Sequence, residues 1–241
     1  MITSQLPALQ VILPLAAAPL CVILHHRTLA WVIALLVSIF SFCISCALFN
    51  QVLSENTITY AMGGWVAPWG IEYYIDKLTA YMLLIINGVA VLVLLGARRS
   101  IENEIASDRI YLFYTTFLLN LTGLLGVITT GDAFNLFVFI EIASLSSYAM
   151  ISLGKDKRSL YAAFKYLIFG TIGASFILIS VGLLYVVTGT LNIVDLSEKL
   201  LIADNRATIT TAFGFKLALR HFILRNFSAP RSAPNPASVT T

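Results

Sequence analysis

Charge is scarce in this sequence. Only 11% of its 241 residues are Asp, Glu, Lys or Arg, whereas 59% are hydrophobic and the mean hydropathy is +0.88. A soluble domain carries roughly 25% charged residues, so the composition excludes an ordinary soluble enzyme and indicates an integral membrane protein. The formal net charge of +3 is spread along the chain. It forms no basic patch of the kind that nucleic acid requires.

Cysteine is also scarce, and its three copies all lie inside apolar runs. Cys43 and Cys46 have a CxxC spacing, which invites a redox or metal site. In a membrane helix, however, small residues of this kind usually serve packing, and Cys21 fits the same interpretation. No haem, flavin or iron–sulfur ligand pattern accompanies them. We therefore expect no metal, no cofactor and no redox centre belonging to the chain itself.

Long apolar segments dominate what remains. About 20 apolar residues are needed to cross a bilayer as a helix, and in lipid the backbone amides must be satisfied within each segment. The sequence therefore predicts an all-α, polytopic membrane helix bundle of six to seven spans, within one membrane domain over residues 1–225. The predicted spans cover residues 6–24, 29–53, 78–97, 110–130, 131–153 and 159–188, with a weaker seventh at 208–225.

Three segments outside the spans have a character of their own. Residues 54–77 are rich in Trp, Tyr and Gly, which predicts an outer loop with an interfacial aromatic belt. Residues 194–203 predict a short amphipathic surface helix. Residues 226–241 are rich in Pro, Ser and Ala, which predicts a disordered tail.

The positive charges of the loops predict the orientation of the chain. The loops after the first, third and fifth spans hold seven Lys and Arg residues, whereas the loops after the second, fourth and sixth hold three. Loops rich in Lys and Arg face the cytoplasm, so the N-terminus is expected outside. Because the first run lacks the features of a cleavable signal peptide, we expect it to remain as a span. The expected location is the cell (inner) membrane, with multiple passes.

The ionisable residues Glu141, Lys165 and Lys216 lie well inside predicted spans. Glu141 lies about 15 Å along its helix from Gly131, close to the centre of a hydrocarbon layer roughly 30 Å thick. A charge there costs at least about 2.5 to 3.5 kcal/mol, so such residues are candidates for a proton or ion path.

The surroundings of these residues leave two interpretations open. Ser144 and Tyr148 follow Glu141 on the same helix face, which favours a polar stripe that holds water or passes protons. A nearby lysine could pair with the carboxylate and release or take up a proton as the pair opens and closes. Alternatively, Glu141 forms a structural ion pair, and Lys165 extends to the membrane surface.

At these residues the chain resembles a known family. The run Gly131-Asp132-x-Phe134-Asn135-Leu136-Phe137 up to Glu141, followed by Lys165-Tyr166, is similar to the antiporter-like subunits of complex I and of Mrp-type cation/proton antiporters. The Mrp D-type subunit is the nearest type, and the resemblance covers about residues 1–218.

The resemblance implies a partial antiporter-like fold and a role in ion transport. It implies a membrane subunit of a proton or Na⁺/H⁺ translocating complex, without a cofactor of its own, whose proton path uses Glu141, Lys165 and Lys216. It also implies other membrane subunits as partners, with protons and Na⁺ as the transported ions, in an NADH-quinone oxidoreductase-like complex or a cation/proton antiporter.

One departure supports an alternative. The family continues after its seventh-span lysine with Phe-Pro-x-His, whereas Leu217 and Ala218 follow Lys216 here. The alternative interpretation is a truncated fragment of the N-terminal half that transports nothing and only packs against sister subunits.

Overall fold

A computed structural model describes residues 5–203 and 206–214. Over these residues the chain is almost entirely helical, with one small antiparallel hairpin. Residues 206–214 are also helical. The named elements are α1 (Leu6–Leu24), α2 (Arg27–Glu55), β1 (Ile58–Ala61), β2 (Glu72–Ile75), α3 (Lys77–Gly96), α4 (Arg98–Glu104), α5 (Ile110–Thr129), α6 (Ala133–Ser152), α7 (Lys157–Thr188) and α8 (Ile193–Ile202).

Six helices in the described part of the chain are long and apolar enough to cross a membrane: α1, α2, α3, α5, α6 and α7. Each begins and ends within two residues of a predicted span. The predicted all-α membrane bundle is therefore confirmed. Most of the predicted seventh span and the whole predicted tail lie outside the described residues.

The segment between α2 and α3 is more regular than the predicted loop. β1 and β2 pair antiparallel, with Tyr60 opposite Tyr73. Tyr73 and Ile75 are buried under the hairpin, while the intervening Tyr74 is exposed. This alternation of buried and exposed side chains is typical of a strand that covers a core with one face. The hairpin thus closes one end of the bundle.

The helices form a layered bundle in which α5 is central. α5 packs against α1 on one side and against α6 on the other, and α6 in turn packs against α7. In the most apolar 18-residue stretch of each helix, half of α5 is buried inside the protein, whereas only 17% of α6 and 17% of α7 are buried. The outer faces of α6 and α7 are therefore covered by lipid or by protein outside the described residues.

Two glycines allow α6 to approach α5 closely. A Cβ atom at Gly123 would lie 2.6 Å from the backbone nitrogen of Ala143, and one at Gly126 would overlap the ring of Phe139. Small residues at helix interfaces are a common way to bring membrane helices into contact. Because Phe139 and Ala143 flank Glu141 at a distance of two residues, this packing fixes the part of α6 that carries the carboxylate.

Candidate proton-binding site

Glu141 lies near the middle of α6, about 12 Å from the start of the helix at Ala133. Its side chain is half-buried and faces a cavity of about 190 Å³ between α6 and α7. Within that cavity Glu141 is accompanied by three hydroxyl groups and otherwise by apolar or small residues. The lining residues are Ile140, Glu141, Ser144, Tyr148, Tyr166, Phe169, Gly170, Gly173, Ala174 and Ile177.

The predicted polar stripe beside Glu141 is present. Ser144 and Tyr148 line the same cavity one and two turns further along α6. A cavity of this volume has room for several water molecules, since each occupies about 30 Å³ in the liquid. The site therefore combines a carboxylate, hydroxyl groups and space for water in the middle of a membrane helix.

Lys165 lies on α7 but not in this cavity. It is exposed on the helix surface, and it is offset by about 100° around the helix axis from Tyr166, which does line the cavity. Among the ion pairs of the described residues, none joins Lys165 to Glu141. The contact between these two charges that the sequence suggested is therefore not made. Lys216 lies outside the described residues.

A polar contact that the sequence did not predict joins α5 and α6. The side-chain amide of Asn120 donates to the backbone carbonyl of Ala143 at 2.9 Å and to the hydroxyl of Ser147 at 2.6 Å. Both acceptors lie within two turns of Glu141 on the same helix. An asparagine among apolar residues was the available signal, because a side-chain amide in lipid needs hydrogen-bond partners.

A second polar cluster, which the sequence also did not predict, joins α1, α2 and α3. The hydroxyl of Ser45 accepts from the amide of Gln10 at 3.0 Å and from the amide of Asn87 at 2.7 Å. Ser45 donates to the carbonyl of Ser41, so its hydroxyl uses its hydrogen and accepts twice. All four residues are fully buried. The cluster ties the three N-terminal helices together at a distance from Glu141.

The start of α6 is held by a network of turns. Asp132 caps the helix by accepting from the backbone amide of Asn135 at 2.7 Å. The backbone amide of Ala133 bonds to Leu191 at 2.8 Å, and that of Ile193 bonds to Gly131 at 2.9 Å. The turn before α6 is thereby joined to the turn before α8.

The hairpin joins this same network through Glu72. The backbone carbonyl of Glu72 accepts from the amide of Gly131 at 2.9 Å. Its carboxylate accepts from the side chain of Asn192 at 2.6 Å, and Asn192 also caps α8. The N-terminal ends of α6 and α8 are therefore anchored to the hairpin, which fixes where α6 enters the bundle.

Two N-cap aspartates, Asp76 on α3 and Asp132 on α6, should respond to pH in opposite directions. Burial raises the pKa of Asp132, which is only 7% exposed, and its backbone hydrogen bonds offset this only in part. The hydrogen bond from the Thr79 amide lowers the pKa of Asp76. The charged form of Asp132 therefore weakens the fold above about pH 4, whereas the charged form of Asp76 strengthens it there.

Asparagine at either position keeps a capping oxygen but removes the charge. At pH 7 the Asp132→Asn variant should be more stable than the wild type and the Asp76→Asn variant less stable. The Asp132→Asn difference should shrink as the pH falls towards 4, whereas the Asp76→Asn difference should persist at pH 4, because the pKa of Asp76 is lowered and its carboxylate is protonated only at lower pH. Thermal unfolding of the purified protein in detergent between pH 4 and 8 measures this. A parallel response of the two variants would contradict it.

In the described part of the chain, no group of three or more His, Cys, Asp or Glu residues could hold a metal ion. The cysteines Cys21, Cys43 and Cys46 are not disulfide-bonded, and Cys21 is buried. The CxxC spacing of Cys43 and Cys46 therefore gains no further ligands from the part of the fold that is described.

The chain is similar to subunits of two kinds of membrane complex. It is 38% identical over 202 residues to the NADH-quinone oxidoreductase subunit N of Desulforudis audaxviator, covering 82% of this chain and 40% of the relative. It is 34% identical to the putative antiporter subunit mnhD2 of Staphylococcus haemolyticus, covering 91% and 45%. It is 32% identical to the D-type Na⁺/H⁺ antiporter subunit of Bacillus subtilis, covering 84% and 41%.

Solved structures show the same likeness. A chain of the archaeal membrane-bound sulfane sulfur reductase, a respiratory membrane complex, matches with a TM-score of 0.78 and 34% identity, over 89% of this chain and 43% of its own. A chain of the Mrp complex from Dietzia sp. matches with a TM-score of 0.76 over 91% of this chain and 40% of its own. At 22% identity, the latter match concerns the fold alone.

The transmembrane family of NADH:quinone oxidoreductases and Mrp antiporters matches residues 130–239, a range that includes Glu141 and Lys165. The chain spans less than half the length of the curated relatives named above. With relatives of both the complex I and the Mrp D type and with a shared fold, this chain belongs to the antiporter-like subunit family of NADH:quinone oxidoreductases and Mrp antiporters.

Proposed function

We propose that the chain is a membrane subunit of a proton or Na⁺/H⁺ translocating complex and that protons pass through Glu141. The observation that carries the proposal is the position of this carboxylate, which lies near the middle of α6 and faces a cavity of about 190 Å³ with hydroxyl groups. The names of the relatives, which are oxidoreductase and antiporter subunits, support the same class of function.

Elementary electrostatics explains why a carboxylate suits this task. A charge near the bilayer centre costs at least about 2.5 to 3.5 kcal/mol, so Glu141 gains by taking up a proton when no cation is close. Water or a neighbouring cation lowers that cost and lets the proton leave again. Glu141 thus alternates between two protonation states as its surroundings change, and this alternation is the elementary step of proton transfer.

Lys165 and Lys216 are proposed as the further proton carriers of the path. Lys165 is exposed on α7, at a depth where an uncovered ammonium group is unfavourable. It therefore needs a partner from outside the described residues, either in other helices of the assembled protein or in a neighbouring subunit. Lysine suits such a role because its pKa shifts readily on burial.

We further propose that the chain lies in the inner membrane with its N-terminus outside, as the loop charges indicate. Two exposed residues near opposite ends of α7 test this orientation: Lys157 at its start and Glu198 on α8 beyond its end. In a background without the native cysteines, Lys157→Cys should react with an impermeant thiol reagent only from the cytoplasmic side. Glu198→Cys should react only from the outside, and the reverse result would overturn the orientation.

The proposed partners are the other membrane subunits of a multi-subunit complex, and the transported ions are protons, exchanged for Na⁺ in a complex of the Mrp kind. Proton flux through the intact complex in proteoliposomes, measured with neutral substitutions at residues 141, 165 and 216, tests the transport role. Unchanged flux in all three variants would contradict it and would favour a chain that only packs against its neighbours.

A further inference from the structure

Two cavities, both open on the outer side of the helices, follow one another between α6 and α7. The first, of about 190 Å³, contains Glu141. The second, of about 310 Å³, lies nearer the turn that connects the two helices and extends to Ser152 and Leu160. Its walls are otherwise apolar: Leu145, Ala149, Ala163, Phe164 and Leu167. Under the proposed orientation this second cavity lies on the cytoplasmic side.

Among the described residues, Tyr148 alone lines both cavities. Its side chain is buried, with 8% of its surface exposed, and it projects from α6 towards Gly170 on α7. The ring meets that of Tyr166 edge to face, with centroids 4.8 Å apart. Tyr148 therefore forms the partition between the cavity that holds Glu141 and the cavity that leads towards the end of the helices.

The phenol of Tyr148 packs against Gly170 on α7. A Cβ atom at Gly170 would overlap the phenol oxygen of Tyr148. The phenol therefore occupies the space that any side chain at position 170 would need. Ser144, one turn before Tyr148, lines the cavity on the Glu141 side of the ring. The position of the ring thus depends on a glycine that leaves room for it.

We propose that Tyr148 is the gate between Glu141 and the second cavity, with the ring on Gly170 as the closed state. This inference rests on the proposed role of Glu141 as a proton carrier. Rotation of the Tyr148 side chain away from Gly170 joins the two cavities and admits water to the carboxylate from the end of the helices at the α6–α7 turn. In the closed state, with the open side of both cavities covered by lipid or by protein outside the described residues, an aromatic ring separates the carboxylate from that end.

The gate can be tested by thiol labelling, which does not depend on transport. Ser144→Cys places a thiol in the Glu141 cavity, in the intact complex and in a chain without Cys21, Cys43 and Cys46. A small, charged methanethiosulfonate reagent reacts with thiols only in water. It is added separately to inside-out and right-side-out vesicles, and modification of this chain is measured by mass spectrometry.

Removal of the ring should open the path. With Tyr148→Ala the thiol at position 144 should react about tenfold faster or more, because the open state of a closed gate is populated to roughly 10% or less. Gly170→Ala should also accelerate labelling, since its methyl group displaces the phenol. With Tyr148→Phe the thiol at position 144 should be labelled as slowly as with the native tyrosine, because the aromatic ring itself closes the path.

The matched control is Ala149→Cys, which lies in the second cavity beyond the gate. It should react at the same rate whichever residue occupies position 148. Equal labelling of position 144 with tyrosine and with alanine at position 148 would overturn the gate, as would an Ala149→Cys thiol that never reacts. Because no proton flux enters the measurement, a failed gate and a failed transport role are distinguishable.

Discussion

Glutamine in place of Glu141 is expected to reduce proton flux through the intact complex by roughly 100-fold or more, since a positioned proton-transfer group typically contributes at least that factor. Glutamine has nearly the size of glutamate, so the cavity between α6 and α7 should remain. Its amide does not take up or release a proton near neutral pH. A path that requires proton binding at position 141 is therefore interrupted without a change of packing.

Two variants make this measurement specific. Glu141→Asp retains a carboxylate on a shorter side chain and should keep part of the flux, which separates the need for a titratable group from the need for one particular length. Glu198→Gln makes the same chemical change on the exposed surface of α8 and should leave the flux unchanged. The measurement is acidification or alkalinisation of proteoliposomes that contain the complex, with equal amounts of assembled chain.

Normal flux in Glu141→Gln would contradict the proposed role. In that case the carboxylate would be a structural group that pairs with a cation of the assembled protein, and the glutamine variant should be less stable than the wild type because the partner loses its counter-charge. A proton carrier without a fixed partner predicts the opposite, because the variant no longer places an ionisable group near the middle of a membrane helix. Flux and stability measured on the same preparation therefore separate the two interpretations of this residue.

The membrane helices were predictable from the sequence because hydropathy determines which segments form them. A run of about 20 apolar residues has no other stable form in lipid, and the structure has a helix at each of the six strong runs. The hairpin was not predictable in the same way. β1 and β2 have four residues each and are separated by a longer loop, so their pairing depends on the bundle beneath Tyr73 and Ile75.

The candidate site was predictable only in part. The energetic cost of a midplane charge identified Glu141 from the sequence, and helical spacing placed Ser144 and Tyr148 beside it. The direction of Lys165 was not predictable, because a single sequence gives the depth of a residue along a helix but not which neighbour covers each face. Nor could spacing reveal that Gly170 accommodates the phenol of Tyr148, since that contact joins two helices.

Alanine at Gly123 is expected to destabilise the protein by roughly 1 to 3 kcal/mol, the usual cost of overpacking a well-packed interior. Its Cβ atom would lie 2.6 Å from the backbone nitrogen of Ala143 and 2.8 Å from the Cα atom. Backbone atoms cannot rotate out of the way as a side chain can. The added methyl group must therefore push α6 away from α5 beside Glu141, and proton flux should fall together with stability.

Gly182 on α7 provides the matched control for this substitution. A Cβ atom there would meet no atom of the described residues within 4 Å, so Gly182→Ala should be neutral or slightly stabilising, because alanine restricts the unfolded backbone more than glycine does. SDS-induced unfolding of the purified protein in mixed micelles measures both variants. A similar stability for the two would contradict close packing of α5 on α6. If only Gly123→Ala loses both stability and flux, the position of Glu141 depends on the contact between these two helices.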